Sequence, residues 1–232
     1  LAVTHPQAGN IGGGGFMVIK LADRNEAITI DYREMAPSGA SRDMFLNEAG
    51  EVDNMRARFS HLSTGVPGSV MGLLTALEKY GSMPRKEVMA PAIHLAEKGF
   101  PVSGALADAL NEYNSRFKRD PSTLAYFAKA DGSSYTRGEI FVQKDLAKTL
   151  KAIAKDGAAG FYEGVVADLI VAEMEKNGGL ITREDLKNYR VVERPAVTGE
   201  FRGYEVISMP PPSSGGVHLI EMLNVLKGYD LA

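Results

Sequence analysis

Arg33 sits in the run Asp31-Tyr32-Arg33-Glu34-Met35-Ala36-Pro37, at the end of a segment that alternates polar and apolar residues. A guanidinium there can offer a carboxylate two parallel N–H donors in a rigid fork. The same residue type allows a plainer fate, an ion pair with Asp31 on the same strand face or with the adjacent Glu34. Isolated surface pairs of that kind are common and weak. Residue type alone leaves both open.

Other groups with chemical potential are less well placed. Gly12 to Gly15 form a run of consecutive glycines, and bare amides can cradle a phosphate. Their spacing does not fit G-x-G-x-x-G, and no Gly-Lys-Ser/Thr follows. The run is read instead as tight backbone packing or positive φ ahead of a strand. His5, His61, His94 and His218 are scattered, and none has a second histidine at ligand spacing, so no metal site and no cofactor is expected. No G-x-S-x-G elbow exists: Ser69 follows Gly68 directly, and Ser213 and Ser214 follow three prolines. Ser115-Arg116-Phe117-Lys118 matches S-x-x-K by letter but lacks its companion motifs. Ser213-Ser214-Gly215-Gly216 could hold an anion at a helix start, or cap that helix through a serine hydroxyl.

The elements that must carry these residues follow from periodicity. Phe16 to Leu21 is apolar and β-prone, and Ala27 to Arg33 alternates, with Ile28, Ile30 and Tyr32 on one face and Thr29, Asp31 and Arg33 on the other. The polar link Ala22-Asp23-Arg24-Asn25 predicts an antiparallel hairpin, and Pro37 ends its second strand. Val70, Leu73, Leu74 and Leu77 predict a helix stopped by Gly81. A second runs from Ser82 and Pro84 through Val88, Ala92, Ile93 and Leu95 to Lys98-Gly99. Further helices are expected through Leu106 and Leu110, through Leu146, Leu150 and Ile153 to Asp156-Gly157, and from Val165 or Val166 through Leu169, Ile170 and Met174 to Asn177-Gly178-Gly179. Thr182 and Asp185 have capping-box spacing. Tyr204 to Ser208 reads as a strand, Met209-Pro210-Pro211-Pro212 as a stiff exit, and Leu219, Ile220, Leu223 and Leu226 as a closing helix. Mixed strands and helices without repeat or linker predict a single α+β domain over residues 1–232.

Composition excludes some classes. The chain has 232 residues, 44% hydrophobic and 24% charged, which suits a globular fold with a sizeable core. Lys plus Arg total 26 against 29 Asp plus Glu, so no strong field favours nucleic acid or an anionic membrane. With zero cysteines, disulfides and thiolate chemistry are absent. No apolar run approaches the length of a membrane span. The start at Leu1-Ala2-Val3-Thr4 and the close on Tyr229-Asp230-Leu231-Ala232 are read as marking an excerpt of a longer polypeptide.

Three segments together resemble the bacterial γ-glutamyltranspeptidases, also called glutathione hydrolases. They are Thr4-His5-Pro6-Gln7-Ala8-Gly9-Asn10-Ile11-Gly12-Gly13-Gly14-Gly15-Phe16, the Asp31 to Pro37 run, and Ser208-Met209-Pro210-Pro211-Pro212-Ser213-Ser214-Gly215-Gly216. Phe59 to Gly68 and Asn177 to Arg194 are similar to the family as well.

The resemblance implies an α+β fold, the αββα sandwich of the N-terminal-nucleophile hydrolases, with only the large-subunit part present. It implies a precursor that cleaves itself, a small subunit as heterodimer partner, and a catalytic threonine at that subunit's new N-terminus. No catalytic residue is then expected in this chain. The arginine of the family's D-[FY]-R-E-M-A-P motif falls on Arg33, which implies a grip on the α-carboxylate of a γ-glutamyl group, with Asp31 or Glu34 restraining the guanidinium. Glutathione and related γ-glutamyl compounds are the implied substrates, and the periplasm or the exterior the implied location. Two alternatives stay open: a related amidase such as a cephalosporin acylase, and a catalytically dead scaffold of the same fold.

Overall fold

The computed structural model describes residues 1–23 and 26–230. Among the described residues seven strands are formed: β1 (Phe16–Lys20), β2 (Ala27–Asp31), β3 (Phe100–Pro101), β4 (Ile140–Phe141), β5 (Val192–Pro195), β6 (Val197–Phe201) and β7 (Tyr204–Ser208). The helices are α1 (Asn54–Phe59), α2 (Ser69–Tyr80), α3 (Arg85–Lys98), α4 (Gly104–Phe117), α5 (Pro121–Phe127), α6 (Lys144–Asp156), α7 (Ala159–Tyr162), α8 (Gly164–Asn177), α9 (Arg183–Asn188) and α10 (Gly215–Leu226). The chain divides into two compact units, Leu1–Asn10 with Ser82–Asp168, and Ile11–Gly81 with Leu169–Ala232.

The first unit is mainly helical. In α6, Ala147, Leu150, Ile153 and Ala154 are buried on one face, and α3 packs against that helix. Each fully buried Leu or Ile there contributes about 1.5–3 kcal/mol. Gly157, at φ 68°, closes α6 and donates its N–H to the Ile153 carbonyl at 2.8 Å. The expected α3 face is rotated from the sequence reading: Val88 is 44% exposed, whereas Ala96 is fully buried. Phe100 and Phe141 pair across β3 and β4 with their rings edge to face. The buried Gln143 side chain donates to the Val3 carbonyl at 2.7 Å, which satisfies a polar group that would otherwise be costly inside.

The second unit holds the residues of interest. β1, β2 and β5 form an antiparallel sheet with β2 in the middle. The hairpin forms as its pattern predicts, although Arg24 and Asn25 of its link lie outside the described residues. The strand ladder stops sooner than Pro37: β2 ends at Asp31, followed by a reciprocal Gly15–Tyr32 pair of main-chain bonds and a bridge of Met35 to Val66. β2 is covered on both faces, since Ile30 and Thr29 are each at 0% exposure. Thr29 satisfies its hydroxyl by donating to the Arg194 carbonyl on β5 at 2.7 Å.

Beyond the sheet, β6 and β7 form a hairpin whose turn residues Arg202 and Gly203 both have positive φ, as a tight two-residue connection requires. α10 packs on that hairpin. α1, absent from the sequence reading, is nucleated by the Asp53 carboxylate, which accepts the Met55 and Arg56 amides. No described helix is long and apolar enough to cross a membrane.

Candidate functional site

The run Asp31 to Ser38 leaves the sheet through a sleeve of glycines. A Cβ on Gly14 would lie 2.6 Å from the Tyr32 carbonyl oxygen, and one on Gly68 only 2.0 Å from it. A Cβ on Gly72 would sit 2.2 Å from Cγ of Tyr32, and one on Gly65 2.9 Å from Cβ of Glu34. None of Gly12 to Gly15 is among the positive-φ residues, so at Gly14 and Gly15 close approach is the constraint and backbone handedness is not. The sleeve is tied to the start of α2, where the Gly68 and Ser69 amides both donate to the Gly13 carbonyl at 2.8 and 2.9 Å. Partial burial of Tyr32 in this sleeve pushes its phenol above the ordinary value.

Asp31 and α9 then fix the exit. Asp31 Oδ1 accepts the Arg33 main-chain N–H at 3.1 Å. Tyr189, almost fully buried just past α9, donates its hydroxyl to the Arg33 carbonyl at 2.9 Å. Thr182 and Asp185 form the capping box that the spacing predicts. Asp185 also accepts the Ser38 amide at 2.8 Å. Its burial raises the carboxyl pKa, but the donors Ser38 and Thr182 outweigh that and hold it below the usual carboxylate range.

Arg33 itself is exposed. Among the described residues its guanidinium has no hydrogen bond or ion pair. The expectation that Asp31 or Glu34 restrains that guanidinium is corrected here. Oδ2 of Asp31 is occupied by Arg194, whose Nε and Nη2 lie 3.2 and 3.0 Å away, and no bond joins Glu34 to Arg33 among the described residues. The result is a cation on a main chain pinned at both of its polar groups, available to an incoming anion.

The remaining candidates are not gathered here. Ser214 stands at the start of α10 with no side-chain cap bond, so the hydroxyl-capping expectation fails for it; the Gly215 amide instead approaches Ser213 Oγ at 3.4 Å. His61 faces Glu173 at 3.5 Å, and His5, His94 and His218 are exposed. Sequence reasoning missed Arg194 and Tyr189. The run Asn188-Tyr189-Arg190 directly after a capped helix was the available signal for Tyr189, and Arg194 had none.

The gamma-glutamyltranspeptidase family model matches residues 1–232. The chain belongs to the γ-glutamyltranspeptidase family. It is 50% identical to the glutathione hydrolase proenzyme of Escherichia coli (strain K12), covering 100% of this chain and 40% of the relative. A Pseudomonas sp. (strain V22) acylase ACY 1 proenzyme is 39% identical, with 100% of this chain and 42% of the relative covered. Among solved structures, the Helicobacter pylori gamma-glutamyltranspeptidase superposes with a TM-score of 0.97 at 50% identity, covering 100% of this chain and 66% of that one. Cephalosporin acylase from Bacillus halodurans gives a TM-score of 0.80 at 28% identity, over 99% of this chain and 43% of that one. The chain thus spans about two fifths of the length of the curated relatives it matches. With membership of the γ-glutamyltranspeptidases comes the expected α+β fold, the αββα sandwich of the N-terminal-nucleophile hydrolases, of which this chain supplies part.

Proposed function

We propose that this γ-glutamyltranspeptidase chain is the large-subunit portion of an enzyme that hydrolyses glutathione and other γ-glutamyl amides and transfers the γ-glutamyl group to amino acids or peptides. The observation that carries the reading is the Arg33 guanidinium, without a partner among the described residues, on a pinned main chain. The α-carboxylate of a γ-glutamyl donor takes no part in bond breaking. A forked donor that holds it therefore fixes where the distant γ-carbonyl lies, and converts binding energy into alignment. Names of relatives at 50% and 45% identity, both glutathione hydrolase proenzymes, support the same substrate class.

The reaction then follows the family's chemistry on the partner subunit. Threonine Oγ attacks the γ-carbonyl while the threonine's own amino group takes the hydroxyl proton. The C–N bond breaks, the proton passes to the departing amine, and a γ-glutamyl ester remains on the enzyme. Water releases glutamate, or an acceptor amine takes the acyl group. This chain contributes positioning, in a single domain completed by the small subunit of the same precursor, in the periplasm or outside the cell.

The acylase relative at 39% identity supports a second reading, an amidase for a different acyl group. The test is turnover of γ-glutamyl-p-nitroanilide by the processed two-subunit enzyme, set beside a cephalosporin with an acyl side chain that lacks an α-carboxylate. Release of p-nitroaniline with no acylase activity supports the first reading. The reverse preference overturns it, and no turnover of either donor by a correctly cleaved heterodimer leaves the dead scaffold.

A further inference from the structure

Both polar groups of the Arg33 main chain are satisfied by side chains, because the strand ladder has already ended at this point. Its N–H goes to Asp31 and its carbonyl to Tyr189. Four residues before Tyr189, the Asp185 carboxylate holds the Ser38 amide. The segment from Arg33 to Ser38 is therefore spanned by one short element, itself locked by the Thr182–Asp185 capping box.

A buried tyrosine hydroxyl must find an acceptor, and any nearby carbonyl would satisfy it. Here space has been made for one particular acceptor. A Cβ on Gly68 would lie 2.1 Å from the Tyr189 hydroxyl oxygen as well as 2.0 Å from the Tyr32 carbonyl, so the phenol reaches Arg33 only past a residue without a side chain. At 1% exposure, Tyr189 is also too enclosed to exchange this bond for one to water.

We propose that Tyr189 is a positioning residue for Arg33, with Asp185 bracing the far end of the same segment. Together they aim the guanidinium fork at a substrate carboxylate before the substrate arrives. A fork attached to a fixed main chain loses less conformational freedom on binding, and small misplacements at such a clamp are costly. The inference rests on the reading of Arg33 as the carboxylate-binding group.

The test is a double-mutant cycle in the processed enzyme carrying this chain and its small subunit. Tyr189→Phe, Arg33→Ala and the double variant are assayed with γ-glutamyl-p-nitroanilide and with its α-methyl ester, in which the carboxylate is masked. Removing one buried hydrogen bond at the clamp is expected to raise KM for the free acid about five- to tenfold. The ester KM should stay unchanged, and the Tyr189→Phe effect should vanish when Arg33 is already Ala. An equal change for both donors, additivity in the double variant, or an unchanged KM in Tyr189→Phe overturns the proposal. An unchanged KM in Arg33→Ala alone overturns the reading of Arg33 and this inference with it, so the two failures are told apart by different variants. Should Tyr189→Phe not fold, Asp185→Ala tests the brace with the same two donors and the same criterion.

Discussion

Arg194 Nη2 lies 3.0 Å from Asp31 Oδ2, and through that contact a strand-β5 cation occupies the carboxylate two residues before Arg33. Asp31 is buried while the Arg194 side chain is 36% exposed, so the acid is the group that needs the pair. The pairing leaves the Arg33 side chain without a hydrogen-bond or ion-pair partner among the described residues, as an exposed cation that is not already spent.

Arg33→Ala in the processed enzyme should raise KM for donors with a free α-carboxylate by at least tenfold, since a charge-assisted bidentate contact is lost. Arg33→Lys should recover part of that loss, because it keeps the charge but not the fork. Steady-state kinetics of all three forms against one γ-glutamyl donor check this. Equal KM values across the series would remove Arg33 from the pocket.

Arg194→Met should act at two levels. Leaving Asp31 buried without its cation costs about 1–3 kcal/mol, toward the lower end because Arg194 is partly solvated. Thermal melting checks that loss. The released Asp31 carboxylate should also draw in the Arg33 guanidinium, so donor KM should rise as well. A lowered Tm with unchanged KM would show that the two arginines do not compete for Asp31.

Gly72→Ala places a methyl 2.2 Å from Tyr32 Cγ, and Gly68→Ala places one 2.0 Å from the Tyr32 carbonyl. Overpacking of this kind costs about 1–3 kcal/mol, and more when backbone is the obstacle. Both variants should melt markedly lower and bind donor poorly. Gly104→Ala, with nothing within 4 Å of the added methyl, should stay within about 0.5 kcal/mol of the parent.

Asp185 sets a pH dependence. Burial acts to raise its carboxyl pKa, but the Ser38 and Thr182 donors hold it below the ordinary carboxylate range. A depressed pKa stabilises the fold fully above the unfolded value, and that stabilisation is lost as pH falls through the folded value. The Tm gap between parent and Asp185→Asn should therefore be constant from neutral pH down to about 5 and close below about pH 4. A gap that widens with acid would reverse the assigned sign.

Much of the fold was legible along the chain. Gly81, Gly99 and Gly157 stop α2, α3 and α6 where the periodicity ends, and the Thr182–Asp185 box forms as spaced. Each depends on residues within a turn of one another. α5 has a legible start, with Asp120 as N-cap and Pro121 behind it, but Leu124 and Phe127 make too short an apolar pattern to predict a helix. β5 was not readable: Val192–Pro195 has no alternation, and its partner β2 lies over 160 residues away.

Arg33 stood out by residue type and by its neighbours Asp31, Glu34 and Pro37, all local facts. Whether its guanidinium was free or spent was not local. That was settled by Arg194, Tyr189 and Gly68, brought to it from two distant stretches of the chain, because hydrogen bonds and close packing depend on distance in space and periodicity reports only distance along the chain.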